Sequence, residues 1–335
     1  MKKFPVLLFV IFLFSCHHSD IPDVSNIKID LKVQRFEKDF FSIDTTKILQ
    51  EMERLRLSYP NFINDFMNQI LGFNSRSSPD SVSKYISLFI HDYRFVKDSA
   101  TKIYADFELI ARDIRKSLQF VKYYFPAYKP PSKVITFIGP FDGYSDVLTS
   151  DALAVGLQLH MGKNFSFYKS DIAHDLFPDY ITQKFEPGYI PVNCIKNIID
   201  DLYPDKSAGK PLVEQMVEKG KRLYLMDKFL PYSEDFRKIG YSEKQLSDCF
   251  KNEAVIWDFF LANDLLNNAD QNIVKNYIGD SPKTQELGDD SPGNIGSFAG
   301  WQIVKKYVNK YPSISLEELM KKDSREVYAS SRYKP

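Results

Sequence analysis

Two asparagines four residues apart lie on the helix where a zinc protease would carry its metal ligands. Apolar residues recur at helical spacing from Tyr189 to Tyr203, which predicts an amphipathic helix. Asn193 and Asn197 then share one face, like the histidines of an HExxH motif, and Cys194 replaces the glutamate base. An amide is a poor zinc ligand and a thiol is no carboxylate base. The spacing therefore predicts the geometry of a metal helix without its chemistry.

Three other side chains could carry hydrolytic chemistry. His160 follows a predicted strand, where side chains face clefts, and His174 and Glu218 lie in later polar segments. A histidine without an identified partner is more commonly structural than catalytic, and we interpret both histidines in that way. The alternative that stays open is a degenerate or atypical metal-dependent hydrolase. It would use these groups in a cleft under the polar segment Asn267–Gly296.

Sequence signals of other function classes are missing. The chain contains no HExxH, no GxSxG of serine hydrolases and no glycine motif for phosphates or dinucleotides. Its formal net charge is zero and its basic residues are scattered, which argues against nucleic-acid binding. Cys194 and Cys249 both lie in predicted helices, which favours buried free thiols over a disulfide. We expect no catalytic residue, no metal and no cofactor.

The first residues predict export and lipidation. Two lysines precede a short apolar run that ends in LFSC at residues 13–16, which resembles a bacterial lipobox. The pattern predicts a lipoprotein signal peptide at 1–15, acylation of Cys16 and a lipidated tether at 16–26. An ordinary signal peptide with an incidental cysteine is the alternative. No later apolar run reaches the roughly 20 residues that span a bilayer.

Residues 27–335 are predicted to form one α-rich domain, because no composition change divides them. The fold class is α+β, predominantly α-helical, with a small sheet. Alternating apolar residues predict strands at Ile27–Phe41, Lys133–Ile138 and Leu153–Leu159. The principal predicted helices are Thr101–Phe120, Tyr189–Tyr203, Leu212–Met226, Ser242–Leu266 and Ser297–Tyr311.

Long segments of the chain resemble the gliding-motility lipoprotein GldB family of Bacteroidetes. The segments that carry the resemblance are LFSC, YYFPAYKPPSKVITFI, EPGYIPVNCIKNI, VEKGKRLYLMDKFLP, RKIGYSEKQLSDCFKNEAVIWDFF, SPGNIGSFAGWQIVKKY and SSRYKP. The family is in turn similar to zincins, whose HExxH helix is followed by a helix containing Glu-Gly. The resemblance implies a zincin-like fold whose ligand and base positions fall on Asn193, Cys194, Asn197 and Lys219. All four depart from the zincin motif, which implies a pseudoenzyme.

The resemblance also implies a role at the cell envelope. We expect a non-catalytic lipoprotein required for gliding motility, held on the bilayer by acylated Cys16 and in contact with other gliding or secretion proteins. The outer membrane facing the periplasm is favoured over the inner membrane. A weaker alternative is a ligand-carrying lipoprotein that uses Tyr144, Tyr168 and Trp301, although core packing explains such aromatic residues more simply.

Overall fold

A small mixed sheet lies at the centre of the protein, which is described here by a computed structural model covering residues 21–335. Within that range four strands pair in the order β1-β2-β4-β3. β1, β2 and β4 are parallel, and β3 runs antiparallel to β4 at one edge. The strands are β1 (Lys32–Arg35), β2 (Lys133–Phe137), β3 (Asp146–Leu148) and β4 (Ala152–Gly156).

Helices make up most of the remaining chain, which confirms the predominantly helical α+β prediction. In the first half they are α1 (Phe36–Phe40), α2 (Ile48–Ser58), α3 (Phe62–Asp65), α4 (Pro79–Asp92), α5 (Arg94–Ile103), α6 (Glu108–Tyr124), α7 (Asp171–Leu176) and α8 (Asp179–Thr182). In the second half they are α9 (Ile190–Leu202), α10 (Leu212–Phe229), α11 (Asp235–Ile239), α12 (Glu243–Lys251), α13 (Glu253–Ala262), α14 (Gln271–Ile278), α15 (Ile295–Lys310), α16 (Leu316–Lys321) and α17 (Ser324–Ser331).

The two central strands of the sheet, β2 and β4, are buried on both faces. Every residue of β4 is buried, and β2 is buried from Val134 onward. Continuous apolar runs of this kind are typical of parallel strands that helices cover on both faces. The two edge strands, β1 and β3, are partly exposed, and β3, of only three residues, lies against α9. Helix α9 is therefore the element that meets the antiparallel edge of the sheet.

Two predictions in the first half of the chain were wrong in extent. The predicted strand Ile27–Phe41 is a strand only in β1, because α1 follows it at once and buries Phe36 and Phe40. The predicted helix Thr101–Phe120 is two helices that break at Tyr104. The freed carbonyl oxygen of Tyr104 accepts a hydrogen bond from Arg35 Nη1 at 2.8 Å, so a distant side chain satisfies the break.

Three similar corrections concern later segments of the chain. The predicted helix Ser242–Leu266 divides into α12 and α13 at Asn252. The segment Asn267–Gly296 is not one long loop, because it contains α14, capped by the Asp270 side chain. The predicted strand Leu153–Leu159 ends at Gly156, after which Leu157–Leu159 form a 3₁₀ turn. That turn places His160 beneath the sheet edge instead of at the end of a strand.

Helices α10 and α15 cross at glycines. A Cβ atom on Gly220 would lie 2.1 Å from the carbonyl oxygen of Gly300, and one on Gly300 would lie 1.8 Å from that of Met216. Only glycine permits backbones to approach this closely. The contact fixes the spacing of α10 and α15, both of which line the pocket described next.

Candidate functional site

Asp146 is the centre of a buried polar cluster that joins the edge strand to α9. Its carboxylate lies 2.9 Å from His160 Nε2 and accepts a hydrogen bond from Asn193 Nδ2 at 2.8 Å. Its backbone carbonyl accepts from Asn197 Nδ2 at 3.1 Å. The Asp146 and His160 side chains are only 2% and 1% exposed. A buried carboxylate requires such donors, because an unpaired one costs several kcal/mol.

The two asparagines lie on one face of α9 and are both used as donors to Asp146. In a metalloprotease, side chains at these positions would converge on a metal ion. Here they hold β3 against the helix. Among residues 21–335, no group of three or more His, Cys, Asp or Glu side chains is arranged to hold a metal ion.

His160 has a defined orientation in this cluster. The contact of Nε2 with Asp146 identifies the nitrogen that carries the proton, since a carboxylate only accepts hydrogen bonds. Nδ1 is buried and has no hydrogen-bond partner within residues 21–335. Because the ring is buried, His160 has no surface on which a substrate could approach it.

Cys194 and Cys249 are free thiols and both are buried, as the sequence analysis predicted. Burial raises the pKa of the Cys194 thiol well above its ordinary value, and the neighbouring Asp146 charge adds to the effect. Burial likewise raises the pKa of Cys249 to about 12. Thiols of this kind are not nucleophiles at neutral pH.

The three groups named for an alternative hydrolase have separate partners. His174 is half-exposed, and its Nδ1 lies 3.8 Å from Asp179. Glu218 accepts a hydrogen bond from Lys221 Nζ at 2.9 Å and another from the hydroxyl of Ser324. His160 contacts Asp146. The contacts of the three groups therefore do not form one site.

The aromatic residues of the carrier hypothesis also have different environments. Tyr168 and Trp301 are buried in the core, where the Trp301 indole donates to Asp227 Oδ2 at 2.8 Å. Tyr144 is 54% exposed and lines a surface cavity of about 620 Å³ near β3.

A pocket of about 330 Å³ lies between α9, α10 and the beginning of α15. Residues from the segment Asn267–Gly296, among them Asp280 and Asn294, form part of its wall. The sequence analysis placed a cleft with His160, His174 or Glu218 under this segment, but none of the three lines the pocket. Of the four degenerate zincin positions, only Lys219 lines it. Lys219 contacts Asp205 at 3.0 Å. It therefore faces the pocket and does not join Asn193 and Asn197 on Asp146.

Sequence reasoning missed Asp146, the centre of the polar cluster, and Lys196, which lines the pocket. Asp146 begins a strand too short for a periodic signal, and Lys196 resembles any polar residue on an amphipathic helix. A short DVL segment after the turn at Gly143 was the available signal for β3. For Lys196 no local signal exists, because only the folded chain decides which carboxylates surround it.

Comparison with known proteins gives one family. A family model described as Gliding motility protein GldB matches residues 17–335. No curated protein and no solved structure matches the chain. The predicted family is thereby confirmed, and the zincin-like architecture stays a prediction.

Proposed function

The chain belongs to the GldB family of gliding motility proteins, and we propose that it acts there as a lipid-anchored, non-catalytic component through contacts with other envelope proteins. The family match supports a role in gliding motility and a place in the cell envelope. The absence of catalysis, the lipid anchor and the mode of action are the parts that we add.

The observation that carries the non-catalytic role is the use of Asn193 and Asn197. Both amides donate to Asp146, so the positions where a zincin would hold its metal are occupied by a structural contact. Cys194, at the position of the general base, is fully buried with a raised pKa. These residues stabilise the α9–β3 junction and offer neither ligand nor base.

The lipid anchor rests on Cys16, which lies outside the described residues. The family match begins at residue 17, immediately after it. No helix in residues 21–335 is long and apolar enough to cross a membrane.

The first experiment tests catalysis. The full chain is purified from membranes in detergent and its metal content is measured, together with that of His160→Gln, His174→Gln and Glu218→Gln. We expect no stoichiometric metal in any of the four proteins. Stoichiometric zinc in the wild type that one of these substitutions removes would support the hydrolase alternative and refute the proposal.

The second experiment tests the anchor and the cellular role together. In a gliding host that lacks the gene, we expect Cys16→Ser to leave the membrane fraction and fail to restore colony spreading. Cys249→Ser is the matched control, because it makes the same change at a buried thiol and should restore spreading. Full spreading with an unanchored Cys16→Ser protein would show that the anchor is dispensable.

A further inference from the structure

The pocket between α9, α10 and α15 contains more positive than negative side chains. Lys196, Lys219, Arg222 and Lys238 line it, opposed in its wall by Asp200 and Asp280. Most of these cations have their own carboxylate. Arg222 Nη1 lies 2.6 Å from Asp200.

Two of the remaining three cations of the pocket are also paired with carboxylates. Lys219 lies 3.0 Å from Asp205, and Lys238 lies 2.8 Å from Asp235 and 3.1 Å from Asp227. Even Asp280 is paired, with Lys184 at 3.6 Å. Every charged side chain of the pocket other than Lys196 therefore has an oppositely charged partner within 4.0 Å.

Lys196 is the exception. Within residues 21–335 its ammonium has no carboxylate within 4.0 Å and no hydrogen-bond partner. Burial, together with the Lys184 charge, lowers its pKa to about 8 against the opposing effect of the Asp280 and Asp200 charges. Lys196 is partly buried in the wall of the pocket, where its ammonium meets solvent and, in the described part of the chain, no carboxylate.

The N-terminus of α15, which is the positive end of its helix dipole, also lies at this pocket. Asn294 and Ser297, from the cap and first turn of the sixteen-residue helix α15, line the pocket. The Asn294 side chain does not cap the helix, because its oxygen accepts from the Ser297 hydroxyl at 2.5 Å. The positive end of the α15 dipole therefore lacks a side-chain cap beside the pocket that holds Lys196.

The rest of the wall is apolar. Ile199 and Leu223 face the pocket together with Met226, Ile239 and Ile278. Apolar walls of this kind favour an anion attached to an aliphatic body over a small hydrated anion. The single unmatched charge corresponds to a singly charged group, whereas a phosphate monoester carries about −1.5 to −2 at pH 7.

We propose that this pocket binds a carboxylate carried on an apolar body, with Lys196 as its ion-pair partner and the beginning of α15 beside it. The site is separate from the cluster on Asp146, and it goes beyond the proposed function without depending on it. Binding would give the Lys196 ammonium the partner that the free protein lacks.

The test uses hexanoate as the probe and the full chain in detergent, with binding measured by titration calorimetry and thermal shift. We expect hexanoate to bind wild type more tightly than acetate or hexyl phosphate does, and hexylamine not to bind. Lys196→Met should weaken hexanoate binding by about tenfold or more, the loss expected for one charge-assisted contact. Lys84→Met is the control, because it removes the same charge at an exposed position of α4.

A variant that should strengthen hexanoate binding complements Lys196→Met, which should weaken it. Asp280 is 66% exposed at the pocket, so Asp280→Asn should leave the fold intact and free Lys184. It should strengthen hexanoate binding by about two- to fivefold. Equal hexanoate affinity in wild type and Lys196→Met, or no binding to the wild type, would overturn the proposal. Tighter binding of hexyl phosphate would overturn the choice of a singly charged group.

Discussion

Replacing Gly300 by alanine should separate the two helices that define the pocket. The new Cβ would lie 1.8 Å from the carbonyl oxygen of Met216, whereas real Cβ atoms essentially never approach within 3.0 Å. The obstacle is backbone in the middle of α10, so no side-chain rotation relieves it. The helices must therefore move apart by about 1.2 Å at this point, given the close packing of protein interiors.

The cost follows from the lost contact. A radial gap of about 0.5–1 Å removes roughly a quarter to a half of the dispersion energy of the facing atoms. Overpacking of this kind costs about 1–3 kcal/mol and sometimes more, and the better helix propensity of alanine returns at most about 1 kcal/mol. We expect Gly300→Ala to lose about 1–3 kcal/mol of unfolding free energy. The wider helix spacing should also weaken hexanoate binding.

Urea unfolding followed by circular dichroism measures the change in unfolding free energy. Gly188→Ala is the control, because its φ is not positive and the added methyl group would meet only the flexible Arg237 side chain, at 3.3–3.5 Å. Gly220→Ala should behave like Gly300→Ala, and the double variant should lose less than the sum, since one separation relieves both clashes. If Gly300→Ala loses no more unfolding free energy than Gly188→Ala, the close approach of α10 and α15 is wrong.

Three further predictions concern Lys196 and Asn193 of α9 and the two buried thiols. Raising the pH from 8 to 10.5 should stabilise wild type relative to Lys196→Met by about 1–3 kcal/mol of unfolding free energy. The reason is that the pKa of Lys196 is lower in the folded protein, so the unfolded chain keeps the proton over this pH range. Urea unfolding of both proteins across this range measures the difference. Asn193→Asp should lose about 2–4 kcal/mol of unfolding free energy at pH 8 and less at pH 5, because it places a second carboxylate beside that of Asp146 and acid neutralises the pair. Melting curves at both pH values test this. Cys194 and Cys249 should resist a thiol reagent at neutral pH until the protein unfolds, and labelling of either in native protein as fast as in urea would contradict their burial.

Local pattern was sufficient to locate the long elements and insufficient to place their breaks and ends. The helix that carries Asn193 and Asn197 was predicted to within one residue at each end, because its apolar stripe repeats over several turns. The break at Tyr104 escaped prediction because the apolar spacing continues across it. Arg35, 69 residues away in sequence, satisfies that break.

The sequence by itself determined the family, the helical class and the shared face of Asn193 and Asn197, because each depends on residue types and short-range periodicity. Only the tertiary structure decided what that face contacts. Asp146 lies 47 residues before Asn193 and reaches it through a three-residue edge strand that no periodicity marks. The missing partner of Lys196 is decided in the same way, since a charge is paired or unpaired only by what the fold brings within a few ångströms of it.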